Sequence, residues 1–187
     1  MKVGLVGFAG SGKTTVFNTM TGLDVPVGYG GELRFGVVRV PDARIDALSK
    51  MFSPKKTTYA EIAFCDVPGE HGAQKKGLSA KALQQIRDQE ALCQVLRDFE
   101  NPALDEPPDP KRDLEAFLTE CILADLETVE RRLTRAHKEG ASAGEVASFE
   151  LMQATLEDAR PIRAIPAEQL ARGPLRGYGF LTDRPCS

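Results

Sequence analysis

Apolar and polar positions change in short blocks along the first half of the chain, and the blocks alternate between two periods. Lys2 to Gly7 is apolar and strand-like, and Lys13 to Met20 has helical spacing. Phe35 to Val40 is a valine-rich run, after which Pro41-Asp42 opens a short amphipathic helix with Ile45, Leu48 and Met51 facing one way. Thr57 to Asp66 reads as a strand, Leu78 to Glu90 as a helix and Ala91 to Phe99 as a further strand. This βαβ rhythm predicts an α/β fold with a mostly parallel sheet.

The rhythm then breaks. From Asp109 to about His137 the apolar positions Leu114, Leu118, Ile122, Leu126, Val129, Leu133 and Ala136 recur at steps of three and four, predicting a helix about 40 Å long at ~1.5 Å per residue. Gly140 and Ser142 mark a turn, and Glu145 to Arg160 carries Val146, Phe149, Met152, Leu156 and Ala159 on one face. No strand intervenes, so the two helices are expected to return on each other as an antiparallel hairpin inserted in the α/β unit. Past Pro161 the chain is rich in Pro, Gly and Arg. The boundaries expected are 1–108 for the front of the α/β domain, 109–160 for the hairpin and 161–187 for a return segment.

Composition narrows the classes. At 187 residues, 42% hydrophobic and 27% charged, the chain can bury a real core and is too apolar for disorder. A net charge of -3 gives no global attraction for polyanions. Ribosome or rRNA contact would need a local basic patch, such as Lys75, Lys76 and Lys81, or Arg131, Arg132, Arg135 and Lys138; no DNA sequence recognition is expected. No apolar run approaches the ~18 residues of a membrane span and no signal peptide is visible, so a cytoplasmic protein is expected. The four cysteines show no metal-site spacing and read as buried small hydrophobes, with Cys65 and Cys93 in two strands that could neighbour each other.

The chemistry sits in GFAGSGKTTVFN, Gly7 to Asn18, between the first strand and the first helix. Gly7-x4-Gly12-Lys13-Thr14 is a P-loop pattern. Its glycines let consecutive N–H groups turn toward phosphate oxygens, and the following helix adds the positive end of its dipole. Gly10, Ser11, Gly12, Lys13, Thr14 and Thr15 are therefore the expected nucleotide-binding residues. Lys13 is assigned to the β- and γ-phosphates and the Thr14 hydroxyl to Mg²⁺. The strand Ile62-Ala63-Phe64-Cys65 ends in Asp66-Val67-Pro68-Gly69, a DxxG pattern. Here Asp66 is expected to orient Mg²⁺ through water and the Gly69 N–H to sense the γ-phosphate. The expected ligand is a nucleoside triphosphate, ATP or GTP.

The stretches KVGLVGFAGSGKTTVFN, GVVRVPDARIDALSKMFSPKK, FCDVPGE, QVLRDFEN, DPKRDLEAFLTECILADLETVERRL and FLTDRP together resemble the YchF subfamily of Obg-related P-loop NTPases, the Obg-like ATPases. The resemblance runs over nearly the whole chain. It implies a TRAFAC-type G-domain interrupted by a helical hairpin and followed by a TGS-type domain, with nucleotide hydrolysis and ribosome association. Members often prefer ATP. The chain departs from the pattern at Ala9 and Gly10, where the family has Pro and Asn, and at Gly30, which stands where the first switch loop usually carries Thr. It lacks a histidine counterpart in Pro102 to Pro108 and ends at Ser187, before the base-recognition motif, so weak discrimination between ATP and GTP is expected. Glu70 follows the DxxG where the family has an apolar residue, and Glu70 or His71 is expected to position the attacking water.

Three readings stay open on sequence: an Mg²⁺-dependent NTPase switch, a nucleotide-binding interaction module with little turnover, and a P-loop small-molecule kinase.

Overall fold

A computed structural model describes residues 1–27, 32–69, 78–171 and 177–186. Four strands form one sheet in the order β2-β3-β1-β4: β1 (Lys2–Val6), β2 (Arg34–Arg39), β3 (Glu61–Asp66) and β4 (Ala91–Gln94). β1 runs parallel to both β3 and β4, whereas β2 is antiparallel to β3, with Arg34 opposite Asp66 and Arg39 opposite Glu61. The sheet is thus mixed, with a parallel centre. Cys65 and Cys93 do not neighbour each other, because β1 lies between their strands.

Two expected strands are shorter than their hydrophobic runs, each for a local reason. Thr57 and Tyr59 turn their hydroxyls to Ser49 and Asp46 of α2 (Ala43–Phe52), so the ladder begins only at Glu61. β4 ends where its partner ends: Val95 N donates to Val6 O at 2.8 Å, and β1 then leaves the sheet as the P-loop. Arg97 next folds back onto the carbonyls of Glu106 and Pro107.

Alternation along the strands divides the core. Val3, Leu5 and Phe64 pack with Phe17 of α1 (Lys13–Thr21) on one face. Val6, Cys65 and Leu92 pack on the other face with Ile86 of α3 (Ala80–Arg87) and with Phe117, Cys121 and Ala124 of α4 (Pro110–Glu139). Coverage of both faces is what a parallel centre requires. α2 supplies no buried residue to either face: Ile45 is half-buried, and Met51 and Phe52 are 72% and 71% exposed.

α4 starts on an Asp109 cap, whose carboxylate accepts from Arg112 N at 3.0 Å, with Pro110 in the first turn. It stops at Gly140, where φ is 68°, and α5 (Ala143–Glu157) packs back along its distal half. Ile122, Val129, Phe149, Met152 and Leu156 form the core between them, extended by Ile162, Ile165, Leu170 and Phe180 of the return segment. That segment is fastened by buried Asp125 of α4, whose carboxylate accepts from Leu181 N (3.0 Å), Thr182 N (2.8 Å) and Thr182 Oγ1 (2.8 Å). Leu92 then bridges in parallel to Cys186, so the chain re-enters the sheet beside β4.

The basic cluster on the hairpin is partly neutralised. Arg132 bonds Glu139 at 3.1 Å and Glu145 at 3.0 Å and lies over the Tyr178 ring, while Arg131 pairs with Glu127 at 3.9 Å. Glu139 thus pairs with Arg132, seven residues earlier on the same helix. Cys65 and Cys121 are buried free thiols, pushed up to about 11 and about 12 by burial; Cys93 is half-buried and Cys186 exposed.

Candidate functional site

The carboxyl ends of β1 and β3 lie side by side in a parallel pair, so the loops that leave them converge. The loop after β1 turns through Gly10 (φ 79°) and Gly12 (φ 92°), conformations that side chains rarely adopt, and delivers the chain to α1. No side chain caps α1, leaving the N–H groups of its first turn directed at the space in front of the loop. The loop after β3 brings Gly69 against this turn. A Cβ there would fall on Lys13 Nζ and come 2.8 Å from Ala9 N, so only glycine fits this approach.

Lys13 is buried and its Nζ donates to Phe8 O at 2.8 Å. Burial pulls its ammonium down to about 8, with the Asp66 carboxylate opposing the shift. Thr14 Oγ1 donates to Asp66 Oδ2 at 2.8 Å, joining the P-loop to the DxxG strand. Asp66 Oδ1 and Ser11 Oγ are buried and have no hydrogen-bond partner among the described residues. An orphaned carboxylate oxygen beside a threonine hydroxyl fits a hydrated Mg²⁺, and hard oxygen donors are the chemistry that this ion selects.

These groups line a cavity of about 320 Å³, at the lower end of the roughly 300–1,000 Å³ of small-molecule sites. Its floor is Ala9, Gly10, Gly12, Lys13, Thr14 and Thr15, with Asp66, Pro68 and Gly69 beside it. Ser11 stays beneath the floor rather than in the lining. One wall is Phe99, Asn101 and Ala103, from the segment after β4; the other is Val27, Glu32 and Arg34, around the start of β2. Sequence reasoning gave neither wall a role at the site. The signal available was topological: β4 neighbours β1, so whatever follows β4 must pass the P-loop. The exposed Phe99 ring reaches within 3.6 Å of the Cβ position of Gly12.

The structure therefore brings Gly10, Gly12, Lys13, Thr14, Thr15, Asp66 and Gly69 together. Glu70, His71 and Gly30 lie outside the described residues, as do Lys75 and Lys76. Among the described residues no helix is long and apolar enough to cross a membrane, and no group of three or more His, Cys, Asp or Glu could hold a metal alone. A Mg²⁺ held here would have the Thr14 hydroxyl and the Asp66 carboxylate as its donors from the described residues.

Comparison with known proteins agrees with this geometry. The profile of the 50S ribosome-binding GTPase family matches residues 2–130. The chain is 35% identical to the ribosome-binding ATPase YchF of Haemophilus ducreyi, over 98% of this chain and 54% of that protein. It is 32% identical to the Bacillus subtilis protein of the same name, over 99% and 54% respectively. The Schizosaccharomyces pombe YchF GTPase structure superposes with a TM-score of 0.76 at 26% identity, covering 100% of this chain and 55% of that one. The chain spans about half the length of the curated relatives it matches. On the family profile matched over residues 2–130 and the identity to curated YchF proteins, the chain belongs to the 50S ribosome-binding GTPase family, within its YchF subfamily.

Proposed function

We propose that this chain binds a nucleoside triphosphate, ATP or GTP, together with Mg²⁺ and hydrolyses it as the catalytic part of a ribosome-associated switch NTPase. The observation that carries the reading is the convergence of Lys13, the Thr14–Asp66 hydrogen bond and Gly69 at one cavity floor. Phosphate oxygens would take the first-turn N–H groups of α1, and Lys13 would exchange Phe8 O for the β- and γ-phosphates. Thr14 and Asp66 would hold Mg²⁺, which supplies neutralisation of the phosphate charge when bound. The Gly69 N–H is the γ-phosphate contact, and Glu70 or His71, next in the chain, positions water. The ribosome as partner is supported by the names of the relatives alone.

The domain division belongs to the same proposal: 1–108 as the front of the G-domain, 109–160 as the hairpin and 161–187 as the return segment. The apolar cluster between α4 and α5 supports the hairpin as a unit, and Ile162, Ile165, Leu170 and Phe180 of the return segment pack into the same cluster.

Titration with a fluorescent nucleotide tests the reading. Lys13→Ala removes a charged donor worth about 1.5–3 kcal/mol per hydrogen bond, so affinity should fall about 10- to 100-fold. Unchanged binding by this variant overturns the P-loop assignment. Single-turnover hydrolysis then separates an NTPase from a binding module with little turnover, a reading favoured by Gly30 at the switch-threonine position. Loss of rate in Glu70→Ala or His71→Ala assigns the water-positioning role.

A further inference from the structure

Among the described residues four charged side chains line the cavity, and the P-loop and DxxG chemistry uses only Lys13 and Asp66; Glu32 and Arg34 belong to the β2 wall and have no role in it. Arg34 is the first residue of β2 and stands opposite Asp66 in register. Because β2 runs against its neighbours, its beginning lies at the sheet edge where the parallel strands end. Side chains alternate along a strand, and Val38, four residues on, packs in the cluster of Phe17. Arg34 therefore lies on the α1 face, beside the start of that helix.

The strand order sets the two ends of the cavity apart. Phe99 and Asn101 follow β4 at one margin of the sheet, whereas Arg34 belongs to β2 at the other. Asp66 ends β3 and Gly69 follows it, so these groups stand between β2 and β1, the strand that leads into the P-loop and Thr14. Arg34 is half-buried, and the one hydrogen bond of its side chain among the described residues is a long one, Nη1 to Pro26 O at 3.3 Å. No carboxylate among the described residues pairs with it. A guanidinium offers five donors in a planar fork suited to phosphate oxygens, and Arg34 lines the same cavity as Lys13, Thr14 and Asp66.

Resting on the nucleotide reading above, we propose that Arg34 is a specificity-determining residue that donates to the terminal phosphate of a bound nucleoside triphosphate and so favours triphosphate over diphosphate. A diphosphate ends short of it and is held by the P-loop alone.

The test is equilibrium binding of fluorescent non-hydrolysable ATP and GTP analogues, and of ADP and GDP, at fixed Mg²⁺, to the wild-type chain, Arg34→Ala and Arg34→Lys. Arg34→Ala should lose about tenfold or more in triphosphate affinity and less than about twofold in diphosphate affinity, the signature of one lost charge-assisted contact. Arg34→Lys should recover part of the loss, since it keeps the charge without the fork. Thermal unfolding reports whether each variant folds; if Arg34→Ala does not, Arg34→Lys decides, and a larger loss for triphosphate than for diphosphate supports the proposal. Equal losses for both nucleotides, or no loss, overturn the proposal while wild-type diphosphate binding leaves the P-loop reading standing. A wild-type chain that binds neither nucleotide overturns both.

Discussion

Lys13 and Gly69 depend on each other. The ammonium lies buried against Phe8 O, and the glycine backbone closes over it with no room for a Cβ. Gly69→Ala must therefore displace the Lys13 head or the β3 loop. Triphosphate affinity should fall at least tenfold, or about 1.4 kcal/mol, while the melting temperature changes little, because the displaced atoms face the cavity rather than the core. Titration and thermal unfolding on the same sample check this. Thr14→Val, which keeps shape and removes the hydroxyl, leaves Asp66 with both oxygens unpartnered. Its expected outcome is a loss of Mg²⁺-dependent affinity that exceeds the loss measured in EDTA. Most of these residues were legible in the sequence, since a P-loop is a local motif whose spacing is its geometry. Phe99, Asn101, Glu32 and Arg34 were not, because strand order alone brings them to the cavity.

Among the elements, α4 and the return segment are joined by a carboxylate that accepts three hydrogen bonds with no exposed surface. Asp125→Ala would strand buried donors, each costing about 1–3 kcal/mol, so a loss of about 3 kcal/mol and about 6–12 °C in Tm is expected. Burial raises the Asp125 carboxyl above its ordinary value of 3.8, with the bonds from Thr182 and Leu181 and the nearby Arg87 opposing the shift. A raised folded value means that the folded state binds the proton more tightly. The resulting stabilisation is complete below the ordinary carboxylate value and is lost as pH rises through the raised one. Urea midpoints across that range should decline with pH for the wild-type chain relative to Asp125→Asn. The periodicities of α4 and α5 predicted this hairpin well; the latch was invisible, because Asp125 and Thr182 are 57 residues apart.

For the molecule as a whole, the outer edge of the sheet is the exposed feature. β2 is an edge strand carrying Phe35 and Val37 on an uncovered face, and α2 nearby in sequence exposes Leu48, Met51 and Phe52. Unpaired edges with apolar side chains favour association between copies or with other chains. Val37→Lys should lower ANS fluorescence and concentration-dependent association in sedimentation, without moving the melting temperature by more than a few degrees. Unaltered association in this variant shows that the β2 edge is not the contact.

By itself the sequence determined the elements, the P-loop, the DxxG pair and the hairpin, because each rests on spacing within about 30 residues and on backbone conformations that few residue types allow. Tertiary structure decided what depends on strand order and direction. It reversed β2, so that Arg34 faces the cavity, and set β1 between Cys65 and Cys93. It also left the apolar face of α2 uncovered and joined Asp125 to Thr182. Hydrophobic period reports which side of an element is apolar; it carries no information about which neighbour, if any, covers that side.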